Sequence, residues 1–266
     1  MHHLINNPLI KKTKDHNLLS IFRRIGFIGD SLSSGEHEGT GENGEKTYHD
    51  YYEYSWGQFI ARSCGLEALN FSQGGLKCIT FFEMIKREER NPFDEKKKCQ
   101  AYFIALGVND VNHLEDYPDG FGSFDDVNWE NEDLNKLSYI GQYVRIIQKL
   151  RKLEPKCRIF VVTTPKEVPE NNLKKKYFDL IEKTLLQFPK YFEFLYVINL
   201  RKYAPRYGEK IGKKYFLGGH MSALGYKFTA DMMIKYTDYI IENNVEDFAQ
   251  VGFIGKGGVY NKHHKW

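Results

Sequence analysis

No apolar run in the 266-residue sequence approaches the ~20 residues that a bilayer-spanning helix needs, so no membrane span is expected. The stretch from Met1 to Ser20 mixes His, Asn, Lys and Asp and lacks the apolar core and cleavage site of a secretion signal, which makes a cytoplasmic location the expectation. Charge of one sign is also lacking. The 38 basic and 35 acidic residues leave a formal charge of +3, and runs such as Lys96-Lys97-Lys98 and Lys174-Lys175-Lys176 read as solvated faces, so nucleic acid is not an expected partner. The four cysteines, Cys64, Cys78, Cys99 and Cys157, have no metal-ligand spacing and read as reduced, buried thiols rather than a disulfide framework. No Gly-x-Gly-x-x-Gly or Gly-x-x-x-x-Gly-Lys-Ser/Thr follows a strand, which argues against a nucleotide site, and no Gly-x-Ser-x-Gly elbow is present. Internal repeats and Pro- or Ser-rich linkers are absent as well.

What is there suits one globular domain. Hydrophobic residues make up 41% and charged residues 27% of the chain, enough apolar material for a substantial core. The expected organisation is an N-terminal extension over 1–22, a domain over 23–248 and a Gly-containing tail over 249–266 read as a surface arm. Short β-rich runs at Ile25 to Ile28, Glu67 to Phe71, Tyr102 to Leu106, Ile159 to Thr163 and Phe194 to Leu200 alternate with helical patterns, which predicts an α/β fold: a parallel sheet covered on both faces. Leu137, Ile140, Val144, Ile147 and Leu150 form one helix stripe that Pro155 ends. Ser222 caps a last helix carrying Leu224, Phe228, Met232, Tyr236 and Ile240. The segments Ser33 to Asp50 and His113 to Asn135 look irregular, and loops of such length in a compact domain are usually functional or disordered; a basic, Gly- and Tyr-containing loop follows the fifth strand.

Four places carry chemistry. The strand Ile25-Gly26-Phe27-Ile28 runs straight into Gly29-Asp30-Ser31, which puts Ser31 at a strand end, where ligands of parallel sheets bind. Asn70-Phe71-Ser72-Gln73-Gly74-Gly75 follows the second strand, and Gly107-Val108-Asn109-Asp110 follows the third. His220 lies just before the last helix, in Gly218-Gly219-His220-Met221-Ser222. Each segment alone is also ordinary turn or capping chemistry. Together they supply a hydroxyl, two hydrogen-bond donor sites and an imidazole, which is what acyl transfer needs.

The ordered set resembles the SGNH hydrolase superfamily of GDSL-type esterases and lipases, whose blocks carry Gly-Asp-Ser, a glycine, Gly-x-Asn-Asp and a late histidine. The resemblance extends from about Ile25 to Asn243. It implies a three-layer α/β/α sandwich around a doubly wound, flavodoxin-like, five-stranded parallel sheet, and a serine esterase that uses no cofactor and no metal. It also implies that Ser31 is the nucleophile, that His220 is the base, and that the oxyanion hole is formed by the Ser31 N–H, Gly75 and the Asn109 amide, with Asp30 and Gly74 in support. Such donors stabilise the charge that develops on a carbonyl oxygen, and imidazole titrates near neutrality, as a general base should.

One position departs from the pattern. The family carries Asp-x-x-His, but Leu217 stands three residues before His220. Three readings stay open: a backbone carbonyl orients His220 in a Ser-His dyad, a carboxylate from elsewhere reaches it, with Glu36 and Glu38 the nearest in sequence to the nucleophile, or the site is a degenerate binding module. A metal site built from His37, Glu38, His49 and Asp50 lacks any known ligand spacing, and exposed loop residues are expected there instead. Ser33 to Asp50, His113 to Asn135 and Tyr203 to Leu217, rich in Tyr, Trp, Phe, Asp, Asn and Gly, are expected to wall the site. Their content favours an ester substrate with a short acyl group, acetyl above all, on a carbohydrate or small polar alcohol. Lysophospholipase- or thioesterase-type hydrolysis is the alternative.

Overall fold

The computed structural model describes residues 17–256 apart from Arg87 and Glu170. Five parallel strands, β1 (Arg24–Gly29), β4 (Glu67–Asn70), β5 (Ala101–Ala105), β6 (Arg158–Val162) and β7 (Leu195–Ile198), form the central sheet in the order β4-β1-β5-β6-β7. Between β1 and β4 in the chain lies an antiparallel hairpin of β2 (Glu36–Thr40) and β3 (Lys46–Asp50), and a short hairpin of β8 (Phe216–Leu217) and β9 (His220–Met221) precedes the last long helix. The helices are α1 (Ser31–Ser34), α2 (Trp56–Cys64), α3 (Cys78–Met84), α4 (Val108–Asn112), α5 (Tyr139–Leu153), α6 (Asn172–Leu185), α7 (Leu200–Tyr203), α8 (Glu209–Tyr215), α9 (Ala223–Glu242) and α10 (Val245–Phe248).

Alternation along each strand sorts its side chains to two faces, and here each face meets its own helices. Phe27, Phe103 and Phe160 pack with Trp56 and Ile60 of α2 and with Ala230 and Met233 of α9. Ile28, Ile104, Ile159 and Val161 pack with Phe81 of α3, Ile147 of α5 and Ile181 of α6. This is the expected doubly wound three-layer sandwich. Successive strands are added to opposite sides of β1, first β4 on one side and then β5, β6 and β7 on the other, so the crevice between the carboxyl ends of β1 and β5 is the topological switch point where such sheets bind ligands.

The structure corrects several expectations. The segment Ser33 to Asp50 is not an irregular loop; most of it is the β2–β3 hairpin, closed over Gly41–Glu45 with Gly44 at φ +82°. Leu137 precedes α5 and Leu224 stands in the first turn of α9, and both are exposed; Met232, Tyr236 and Ile240 are buried, and Tyr226, Thr229, Ala230 and Met233 join them on the core side of α9. Tyr203 to Leu217 contains α8 and β8. The tail is no surface arm over its described part, because Val251 and Ile254 are buried against the first core and the Gln100 side chain donates to Val251 O at 2.9 Å. Leu19 and Phe22 of the expected extension are buried there too. Residues 1–16 and 257–266 of the two expected end segments lie outside the described residues. All four cysteines are free and buried, and burial raises the Cys157 thiol to about 11. Among the described residues no helix is long and apolar enough to cross a membrane.

Candidate active site

Ser31 begins α1 two residues after the end of β1, and the turn is held by the intervening Asp30. Its side chain accepts from the Leu32 N–H at 3.0 Å, and its carbonyl accepts from Ser33 and Ser34, both at 3.0 Å. An N-cap of this kind satisfies part of the helix start. The Ser31 N–H is among the donors that a helix's own ladder leaves unused. Burial raises the Asp30 carboxyl to about 7, even though the Leu32 N–H favours its ionised form.

The second segment is pinned to the end of β1. Ser72 donates its hydroxyl to Phe27 O at 3.0 Å, Gln73 N–H donates to Gly29 O at 3.1 Å, and the Asn70 side chain accepts from Ser72 N–H at 2.8 Å. Gly74 and Gly75 therefore follow within two residues of an anchor on the nucleophile strand, and Gly75 adopts φ +71° and is exposed. The third segment closes on the second. Asn109, on α4 beyond β5, directs its amide Nδ2 at Leu76 O at 3.4 Å, and buried Asp110 accepts from the Cys78 N–H at 2.8 Å and from the Tyr117 hydroxyl. Burial pushes the Asp110 carboxyl upward. Its hydrogen bonds make it a brace between α4 and α3.

His220 enters on β9, which packs beside α1 and β2. Tyr226, one turn into α9, donates its hydroxyl to Glu36 O at 2.6 Å and reaches Ser31 O at 3.4 Å, so the chain that carries His220 is bonded to the nucleophile turn. The imidazole lies between two carboxylates. Its Nε2 is 3.0 Å from Glu36 Oε1 and its Nδ1 is 3.6 Å from Glu38 Oε2. Strand alternation accounts for the pair, since positions 36 and 38 share a face of β2. Tyr48, the cross-strand partner of Glu38, lies on that face and meets the His220 ring edge-on at 5.6 Å.

The two carboxylates differ in setting. Glu38 receives the Lys46 ammonium at 2.5 Å and the Gly219 N–H at 2.7 Å, which hold it below the usual range. Burial pushes Glu36 above that range, against the opposing pull of His220. Glu36 also occupies the space over Gly74, where an added Cβ would fall 2.3 Å from its Oε2.

The segments that carry Ser31, Gly74–Gly75 and Asn109 follow β1, β4 and β5, and the strand of His220 packs beside the helix that Ser31 begins. Leu217 faces His220 across the β8–β9 hairpin, is 47% exposed, and offers no polar side chain. Of the three readings left open for His220, the one in which a backbone carbonyl orients it has no such carbonyl among the described residues. Nδ1 is buried with no hydrogen-bond partner among the described residues, and Glu38 Oε2 stands 3.6 Å from it. Among the described residues, Nε2 meets Glu36 rather than Ser31. His37 and His49 lie on the opposite hairpin face from Glu38, and no described group of His, Cys, Asp or Glu side chains is arranged to hold a metal ion.

Only part of the His113 to Asn135 segment walls the site. Tyr117 and Asp116 stay beside it through Asp110 and Lys77, whereas Glu132 and Asp133 pair with Lys149, Lys152 and Arg145 along α5, and Trp129 stacks on Tyr191. A cavity of about 60 Å³ lies alongside, lined by Asp30, Leu32, Val108, Thr163, Tyr207 and Met221 among others. A second depression of about 210 Å³ runs along Gln73 to Leu76, Thr80 and Glu83.

The family profile described as GDSL-like Lipase/Acylhydrolase matches residues 25–233. Among solved structures, a family two carbohydrate esterase from Clostridium thermocellum in complex with cellohexaose is similar at 16% identity and a TM-score of 0.56, over 85% of this chain and 65% of that one. A family 3 carbohydrate esterase from the same organism matches at 18% identity and 0.51, over 83% and 98%. A possible lipase from Chitinophaga pinensis matches at 16% and 0.52, over 82% and 98%. The chain spans 65% of the length of the first of these, and at such identities the likeness is one of fold. No curated protein matches it.

Proposed function

We propose, from the premise that this chain belongs to the GDSL-like lipase/acylhydrolase family of carboxylic ester hydrolases, that it is a serine esterase removing a short acyl group, acetyl above all, from a carbohydrate or other small polar alcohol. Ser31 Oγ attacks the ester carbonyl carbon and passes its proton to His220. The Ser31 and Gly75 N–H groups and the Asn109 amide take up the charge on the carbonyl oxygen. His220 returns the proton to the alcohol as its bond to the acyl carbon breaks, and water, deprotonated by the same imidazole, then releases the acid and restores the hydroxyl.

What supports this most is the meeting of the Ser31, Gly75 and Asn109 segments at the switch point of the sheet, with the His220 strand tied to the nucleophile turn by Tyr226. The small acyl group agrees with the small size of the cavity, about 60 Å³. It is lined by residues flanking Ser31, Asn109 and His220. The sugar-like alcohol agrees with the exposed rings of Tyr48, Tyr51 and Tyr54 around the hairpin and with the carbohydrate esterases among the similar folds.

One observation favours a non-catalytic module instead: Glu36, not the serine, holds Nε2. Hydrolysis of p-nitrophenyl acetate and of an acetylated xylo-oligosaccharide by the wild type and Ser31→Ala separates the two. Turnover that vanishes in the variant is expected, and turnover equal in both, or absent from both, would refute the esterase.

A further inference from the structure

Resting on the esterase reading, we infer that Glu38, supplied by the hairpin that follows the nucleophile, is the positioning residue for His220 and replaces the acid that Leu217 cannot provide. Glu36, on this inference, is a resting-state occupant of the proton-accepting nitrogen that must withdraw before Ser31 can use it.

The assignment follows from which nitrogen each carboxylate meets. A histidine that takes a serine proton at one nitrogen needs its other N–H oriented by an acceptor, and the acceptor must be held still to fix the ring. Glu38 lies on Nδ1, its side chain is 8% exposed, and it is held from two sides by Lys46 Nζ and the Gly219 N–H. The Gly219 bond comes from the residue next to His220, so carboxylate and imidazole are registered to each other through the backbone. Glu36 lies on Nε2 and reaches over Gly74, beside the expected oxyanion donor, so substrate and carboxylate compete for one space. Tyr48 covers the ring from β3 and Tyr226 fixes the Glu36 backbone from α9, while among the described residues the Glu36 side chain pairs with His220 alone. The gap of 3.6 Å at Nδ1 suits an unliganded site, where such bonds are commonly long.

The test compares Glu38→Gln, Glu38→Asp and Glu36→Gln with the wild type on p-nitrophenyl acetate, with thermal unfolding as the check on folding. Glu38→Gln is expected to lower kcat by about 10³-fold or more, as loss of a triad carboxylate does, with KM within about threefold. Glu38→Asp should recover at least about tenfold of that loss, because it keeps a charge on the same strand face. Glu36→Gln should cost far less than Glu38→Gln. A proton NMR spectrum of the full chain provides a readout independent of turnover: a low-field imidazole N–H resonance is expected in the wild type and lost in Glu38→Gln. Wild-type kcat in Glu38→Gln, a larger loss in Glu36→Gln, or a resonance that survives Glu38→Gln would overturn the inference. If Glu38→Gln does not fold, Lys46→Ala, which removes one of the two holds on Glu38 at an exposed position, decides the kinetic arm: a lower kcat is expected, and an unchanged kcat is the contrary result. Absence of Ser31-dependent turnover in the wild type would refute the esterase reading instead, and the NMR comparison would still decide whether Glu38 holds the ring.

Discussion

Gly218 and Glu38 share one space: a Cβ added to Gly218 would fall 2.2 Å from Glu38 Oε1. The glycine also sits at φ +69°, where an L side chain is strained. Gly218→Ala should therefore cost about 1 kcal/mol of stability from the backbone and move Glu38 off His220. The expected kinetic result is a fall in kcat in the same direction as Glu38→Gln, measured beside a urea unfolding curve. An unchanged kcat in a folded variant would separate Glu38 from the chemistry.

Asn109 makes one contact that its amide could easily forgo, the 3.4 Å approach to Leu76 O. Its replacement by Ala should leave the unfolding midpoint nearly unchanged and lower kcat by roughly a hundredfold to a thousandfold, the usual loss for one oxyanion donor. A large loss of stability with little loss of rate would make Asn109 a structural residue.

Asp30 gives a pH signature in stability. Burial raises its carboxyl from an ordinary 3.8 to about 7. The folded chain therefore holds that proton more tightly than the unfolded one, and the stabilisation is full below the unfolded value and lost as pH rises through the folded one. Between pH of about 4 and 7 the wild type should lose stability relative to Asp30→Asn, by at most about 4 kcal/mol. Asn retains the cap, so the comparison isolates the charge. Parallel urea midpoints for both proteins across that range would show Asp30 to be ionised throughout.

The small cavity predicts acyl selectivity. With about 60 Å³ available beside the site, kcat/KM on p-nitrophenyl esters should fall from acetate to hexanoate by about tenfold or more, because the space is too small to take the added methylenes without displacing packed side chains. A rate that rises with chain length would favour a lipase-like groove.

The central sheet was legible because buried strands are continuous apolar runs: Ile25 to Ile28 and Tyr102 to Leu106 each lie within a residue of β1 and β5. Ser31, Asn109 and His220 were legible for a related reason, since each ends or follows an element that the hydrophobic pattern marks. The β2–β3 hairpin was not. Neither of its faces packs on a core, so Glu36–Thr40 and Lys46–Asp50 carry polar residues at both alternating positions. The Asn43-Gly44 pair at its apex was the one signal available. Glu38 lies 182 positions from His220, and only the hairpin brings it there. Burial of Val251 and Ile254 was equally hidden, because two apolar residues among glycines give no periodicity to read.

Fluorophosphonate labelling of the wild type, followed by intact mass and peptide mapping, tests the central claim most directly. The account predicts one adduct, carried by the peptide containing Ser31 and absent from Ser31→Ala. An adduct on any other residue, or equal labelling of the variant, would contradict it.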